Sequence, residues 1–94
     1  MHIISFKKLR DFFMRHREAE ESMKAWNRIV ENAEFSDFHE VREVFNTASI
    51  AGKFTIFNVG GNKYRIITVV HYAAKRVYVR HVQTHSEYTK WCKR

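Results

Sequence analysis

The sequence has 94 residues, 45% hydrophobic and 29% charged, which fits one folded domain spanning residues 1–94 and excludes a disordered chain. A single cysteine, Cys92, excludes an internal disulfide. The N-terminal stretch lacks the long apolar core and small-residue cleavage site typical of a signal peptide, and no apolar run approaches the roughly 20 residues that cross a bilayer. We therefore expect a cytoplasmic protein with no membrane partner, and the net charge of +7 favours an anionic partner.

The first half of the chain has the apolar spacing of helices. After a possible short strand, "HII", Ser5 is a candidate N-cap for a helix over residues 6–17. Apolar residues at three- and four-residue steps predict a second helix over residues 19–33. Ser36 is the candidate cap of a third, shorter helix, whose inward residues are expected to be Val41, Val44 and Phe45.

The second half has the composition of strands. "KFTIFNV", "KYRIITVVHY" and "RVYVRHVQT" are rich in β-branched and aromatic residues, and the linker at residues 60–62, Gly-Gly-Asn, suits a tight turn. A short helix or extension is expected over residues 86–94. The predicted fold class is α+β, with N-terminal helices packed on a small twisted antiparallel sheet.

The charge is concentrated in the second half. Residues 1–43 contain eight Lys or Arg and nine Asp or Glu, a net charge of −1, whereas residues 44–94 contain nine Lys or Arg and one acid, a net charge of +8. Such a surface suits a nucleic acid, and an acidic protein would also fit it. Arg65 begins a central strand, where it is either held by an acid or left in a cleft open to an anion. The scarcity of acids after Glu43 favours the cleft.

His85 and Tyr88 form the second candidate group, because a helical turn would place residues three apart side by side. An imidazole and a phenol near cations suit proton transfer in phosphodiester cleavage. Taken singly, each residue is more often a cap, a surface group or packing, and we assign His71 and His81 to packing. The remaining histidines and the single cysteine show no metal-ligand spacing, so no metal site is expected.

Two stretches together, "FNVGGNKYRIITVV" and "VYVRHVQTHSEYTK", resemble the signature of HigB-type toxins, the toxic halves of bacterial type II toxin–antitoxin pairs within the RelE-like group. The N-terminal "HIISFKKLRDFFMRH", the tryptophan of "MKAWNRIV" and "REVFNTASI" are also similar to that family. The resemblance therefore covers nearly the whole chain.

The resemblance implies a RelE-like fold and an endoribonuclease that cleaves mRNA, typically on the translating ribosome, with no metal or other cofactor. In that chemistry the 2′-hydroxyl attacks the adjacent phosphate. The implied partners are a cognate antitoxin, mRNA, the ribosome and, through the antitoxin, operator DNA. The residues expected to carry catalysis are Arg65, His85, Tyr88 and Lys63, and those expected to bind RNA are Lys53, Asn58, Asn62, Arg80 and Lys90.

Two other interpretations of the sequence stay open. A non-catalytic module that binds RNA or ribosomes would need cations and aromatic rings but no proton-transfer pair. An inactive relative, acting in an antitoxin-bound complex that regulates DNA, would be expected to lack one of Arg65, His85 and Tyr88, yet all three are present. Thr89 departs from the family pattern, which often has an acid at that position.

Overall fold

Five strands and four α-helices make up residues 1–92, the part of the chain that the computed structural model describes. Their bounds are, in chain order, β1 His2–Ile4, α1 Phe6–Arg15, a 3-10 helix Arg17–Ala19, α2 Glu20–Glu31, α3 Phe38–Val44, β2 Ser49–Ala51, β3 Phe54–Val59, β4 Tyr64–His71, β5 Arg76–Thr84 and α4 His85–Cys92. The α+β prediction is confirmed. The C-terminal helix begins one residue before the predicted start, and residues 93–94 of the predicted segment lie outside the described residues.

The sheet has the strand order β1-β5-β4-β3-β2, and the predicted meander forms its antiparallel part. One correction concerns β1, which pairs with β5 in parallel and makes the sheet mixed. Strand β2 was not predicted, because a three-residue strand is too short to show an alternating pattern.

Helices α1 and α2 bury their apolar stripes against one face of the sheet, which we call the core face. Trp26 is fully buried there and meets Phe57 of β3 edge to face, with ring centroids 5.2 Å apart. Val41 of α3 is buried as predicted, but Val44 is 53% exposed and was wrongly placed in the core. Val44 is the last residue of α3, and the next residue, Phe45, packs against Phe57 of the sheet instead.

The predicted helix caps were only partly right. Ser5 stands at the start of α1 in a left-handed conformation, and its side chain makes no capping hydrogen bond. The cap of α3 is Asp37, one residue after the expected Ser36. The Asp37 carboxylate accepts from the Glu40 amide at 3.0 Å, and the Glu40 carboxylate accepts from the amide of Ser36, the residue before the cap.

The other face of the sheet, which we call the site face, lies under α4. Ile56 and Ile67 are buried on this face, and the Trp91 ring of α4 packs against Phe54 with centroids 5.5 Å apart. Coverage of both faces explains why the sequence of β4 is apolar on both sides. In residues 1–92 no helix has the length and apolarity that a membrane span requires.

Candidate active site

The turn between β3 and β4 is built from three consecutive left-handed residues. Gly60, Gly61 and Asn62 have φ values of 63°, 61° and 73°. Gly60 is needed for a second reason, because a Cβ atom there would lie 2.8 Å from Cδ2 of the Tyr64 ring. Asn62 is a residue type that tolerates this conformation better than most. The turn directs the Asn62 carbonyl toward the following strand, where it meets Arg65.

Arg65 is 7% exposed and is fixed by four neighbours. Its Nη1 donates to the carbonyls of Asn62 at 2.9 Å and Tyr64 at 3.1 Å, its Nη2 lies 3.1 Å from Nδ1 of His85, and its guanidinium carbon lies 5.2 Å from the centroid of the Tyr88 ring. No carboxylate within residues 1–92 forms a salt bridge with it. The guanidinium is therefore neither paired with an acid nor left in an open cleft, the two alternatives that the sequence suggested. It is nearly buried, and the groups that contact it are neutral, so none of them balances its positive charge.

A capping box at the start of α4 places His85 and Tyr88 beside this arginine. Thr84 Oγ1 accepts from the Glu87 amide at 3.2 Å, and the Glu87 carboxylate accepts from the Thr84 amide at 2.8 Å. The His85 amide donates to the Lys63 carbonyl at 2.9 Å, which ties the helix to the glycine turn. Glu87, the one acid of residues 44–94, is thus used in the helix cap.

The contact with Arg65 determines which nitrogen of His85 carries the proton. A guanidinium can only donate, so Nδ1 must accept and the proton of the neutral ring lies on Nε2. The ring is exposed, so Nε2–H is available to a ligand. His85 in this arrangement is a hydrogen-bond donor, and it can accept a proton at Nε2 only after the contact with Arg65 changes.

The pKa of Tyr88 is raised above its usual value, mainly because its hydroxyl interacts with the Cys92 thiol and because the side chain is partly buried. Arg65 acts in the opposite direction but is the smaller influence. The nearby cation therefore does not bring the pKa of Tyr88 below its usual value. Tyr88 keeps its proton at neutral pH, so it is not a base in this arrangement.

Two amide side chains flank Arg65 on the site face. Asn58 of β3 and Gln83 of β5 are its cross-strand partners. The side-chain oxygen of Gln83 is buried and has no hydrogen-bond partner in residues 1–92. Sequence reasoning selected Asn58 but missed Gln83, because strand register is not visible in a single strand.

A row of aromatic rings extends from the arginine along the site face. The Trp91 ring stacks on Tyr88 at a centroid distance of 6.0 Å, and Phe54 follows at 5.5 Å from Trp91. Lys53 lies at the far end of this row, with Nζ 5.4 Å from the Phe54 ring centroid. Trp91 and Phe54 were not predicted as site residues, since their position depends on how α4 docks on the sheet.

The structure thus brings both His85 and Tyr88 into contact with Arg65. Asn62 and Lys63 reach this group through their backbone carbonyls, while the Lys63 side chain is exposed. The remaining predicted residues, Lys53, Arg80 and Lys90, lie outside the contact group and are exposed. Within residues 1–92 no three potential metal ligands converge.

The fold and this site define a small basic α+β protein in which a nearly buried guanidinium contacts an imidazole and a phenol ring. The model of the HigB toxin family, described as the RelE-like toxic component of a toxin-antitoxin system, matches residues 19–91. The chain belongs to this family, which confirms the resemblance found in the sequence.

Curated relatives agree with that assignment over nearly their whole length. The mRNA interferase toxin HigB of Escherichia coli (strain K12) is 29% identical over 91 residues, which covers 94% of this chain and 88% of the relative. The mRNA interferase HigB of Escherichia coli O6:H1 is 28% identical over 93 residues, covering 96% and 90%. The mRNA interferase HigB of Shigella flexneri is 29% identical over 91 residues, covering 94% and 88%.

Proposed function

We propose that this protein is an mRNA interferase, an endoribonuclease toxin that cleaves mRNA and is neutralised by a cognate antitoxin. The observation that carries the proposal is Arg65, a nearly buried guanidinium without a carboxylate partner in residues 1–92. Burying an uncompensated cation is costly, so such a group is best explained by an anionic ligand that completes its environment. The names of the relatives, mRNA interferase, support RNA as this anion.

The proposed reaction is attack by a ribose 2′-hydroxyl on the adjacent phosphate. The O2′–P bond forms, the P–O5′ bond breaks, the proton of the 2′-hydroxyl leaves and the departing 5′-oxygen takes up a proton. Negative charge increases on the phosphoryl oxygens in the transition state. Arg65 is held in place for that charge, and Lys63 adds a second cation at the same turn.

His85 and Tyr88 both act in their protonated forms in this proposal. His85 donates from Nε2 to a phosphoryl oxygen, because its Nδ1 accepts from Arg65. Tyr88, with its raised pKa, retains a proton that it can give to the departing 5′-oxygen. Neither residue accepts the 2′-hydroxyl proton in this geometry.

Among the described residues that contact Arg65, neither side chain is free to act as a base, and this supports the further proposal that cleavage takes place on the translating ribosome. These side chains can position the phosphate and donate protons, but a second macromolecule must align the 2′-hydroxyl in line with the phosphate and take its proton. The basic half of the chain, with a net charge of +8 in residues 44–94, suits such a surface rich in phosphates.

Substrate contacts outside the reacting group are proposed for the predicted RNA-binding residues. Asn58 flanks Arg65 directly, and Asn62 is exposed in the turn above it. The three exposed cations at greater distance would contact phosphates further along the strand; they are Lys53, Arg80 and Lys90. The antitoxin is proposed to cover the same basic surface in the cytoplasm and to contact operator DNA.

The test is induced expression followed by primer-extension mapping of cellular transcripts. Wild type should stop growth and produce new transcript ends within reading frames, whereas Arg65→Ala should do neither at the same soluble level. Arg76→Ala, which removes an exposed arginine of β5, is the matched control and should remain toxic. Growth arrest without new transcript ends would favour a non-catalytic module, and co-expression of the antitoxin should restore growth.

A further inference from the structure

A groove runs along the free edge of β5, beyond its pairing with β1, between α1 on the core face and α4 on the site face. It consists of two adjoining depressions that share His81, Gln83 and Glu87. The α1 wall carries Lys8 and Arg15, and the opposite wall is formed by α4. Because Gln83 is also the cross-strand partner of Arg65, one end of the groove lies directly beside the candidate active site.

Four cations border this groove: Lys8, Arg15, Arg80 and Lys90. Lys8 is held in position, since its Nζ donates to the Arg80 carbonyl at 3.1 Å. Arg80 is the extra residue of a β-bulge opposite Ile67 and Thr68, and it is exposed at the groove edge. Bulges near active sites commonly redirect a side chain in this way.

The two acids that line the groove are already engaged. The Glu87 carboxylate accepts from the Thr84 amide in the α4 cap, and the Asp11 carboxylate accepts from Lys7 at 3.1 Å. The environment of the groove changes the pKa of His81, which lines both depressions. Its pKa lies below the usual value because of partial desolvation, and secondarily because Lys8 and Arg80 disfavour the imidazolium.

We infer that this groove binds the phosphodiester backbone of the substrate mRNA on one flank of the scissile phosphate. The inference rests on the proposed function, because it extends the same strand beyond the reacting group. The occupant is the mRNA rather than ribosomal RNA, since the groove is continuous with the site at Gln83. Lys8 and Arg15 of α1 thereby become RNA contacts, although the acidic first half of the sequence gave no such indication.

The test compares binding of a short and a longer single-stranded RNA by fluorescence anisotropy across a salt series. Both carry 2′-O-methyl groups, which prevent cleavage. The double variant Lys8→Gln/Arg15→Gln should weaken binding of a 12-nucleotide RNA roughly tenfold or more at about 0.1 M salt. It should also reduce the salt slope by about 0.7 for each lost contact. A 4-nucleotide RNA should bind the variant and wild type equally.

The control variant Arg10→Gln/Arg28→Gln makes the same charge change at exposed helical positions outside the groove lining. It should lower affinity for the longer RNA by less than about threefold, since only long-range attraction is lost. Thermal unfolding confirms that both double variants are folded.

The outcomes separate this inference from the proposed function. If wild type cleaves mRNA but the groove variant binds the longer RNA as wild type does, the inference alone is wrong. If the groove variant loses affinity only in co-sedimentation with mRNA-free ribosomes, the groove binds ribosomal RNA and the inference is also wrong. If wild type neither binds RNA nor cleaves mRNA, the proposed function itself fails.

Discussion

Replacement of Arg65 by lysine tests whether the site needs a positive charge or needs the shape of a guanidinium. The guanidinium reaches two carbonyls through Nη1 and His85 through Nη2, with the Tyr88 ring beside it. An ammonium has the same charge but three tetrahedral donors and no planar surface, so it cannot reproduce these contacts together. We expect Arg65→Lys to fold and to lose most of its activity.

The expected magnitude follows from these contacts. A hydrogen bond to a charged group contributes about 1.5–3 kcal/mol, so losing one of the three lowers the free energy of unfolding by about 2 kcal/mol. For a domain of this size each 1 kcal/mol lowers Tm by about 4–8 °C. A misplaced donor at a developing anion costs about 2.7–4 kcal/mol of transition-state stabilisation, which corresponds to a 10²–10³-fold lower cleavage rate.

The assay is single-turnover cleavage of mRNA on programmed ribosomes, with thermal unfolding measured on the same preparations. Arg76→Lys provides the same chemical change at an exposed position and should stay within about threefold of the wild-type rate. If Arg65→Lys also cleaves within about threefold of wild type, charge alone suffices and the role assigned to guanidinium geometry is wrong.

Three further predictions concern the residues that build this site. Tyr88→Phe should lower the cleavage rate about 10²-fold without changing the shape of the pH–rate profile between about pH 6 and 9, because the raised pKa keeps Tyr88 protonated throughout. If the wild-type rate rises with pH in this range and the variant's rate does not, the role of Tyr88 as an acid is contradicted. Thr84→Ala should cost about 1 kcal/mol in chemical denaturation and slow cleavage by releasing His85, whereas Thr84→Ser should restore both. Gly61→Ala should lower the free energy of unfolding by about 1–2 kcal/mol, because alanine disfavours the left-handed φ. Gly60→Ala should lower it further, because only Gly60 lies against the Tyr64 ring, and equal losses of stability would argue against that contact.

Local patterns in the sequence predicted the parts of the site that depend on local geometry. Alternation along β4 placed Arg65 on one face, and a spacing of three placed His85 and Tyr88 together at the start of a helix. The glycine turn was also recognisable, because left-handed residues have few alternatives. These features are determined by neighbours within a few positions along the chain.

The features that escaped prediction depend on contacts between elements. Gln83 lies beside Arg65 only because of the register between β4 and β5, which a bulge at Ile67 and Thr68 shifts. Trp91 joins the aromatic row only because α4 docks on the site face. The raised pKa of Tyr88 is a different case. Cys92 lies four residues further along the same helix, so the spacing in the sequence could have indicated that the two side chains meet.

The sheet separates the hydrophobic core from the reacting groups, and this has a consequence for genetics. A cavity made at Leu9 or Trp26 on the core face lowers the population of folded toxin, while each folded molecule keeps its site geometry. A change at the exposed His85 is expected to leave the folded population nearly intact and to disable every molecule. Survivors of toxin induction should therefore fall into two classes, one that regains toxicity on cooling and one that stays harmless at every growth temperature.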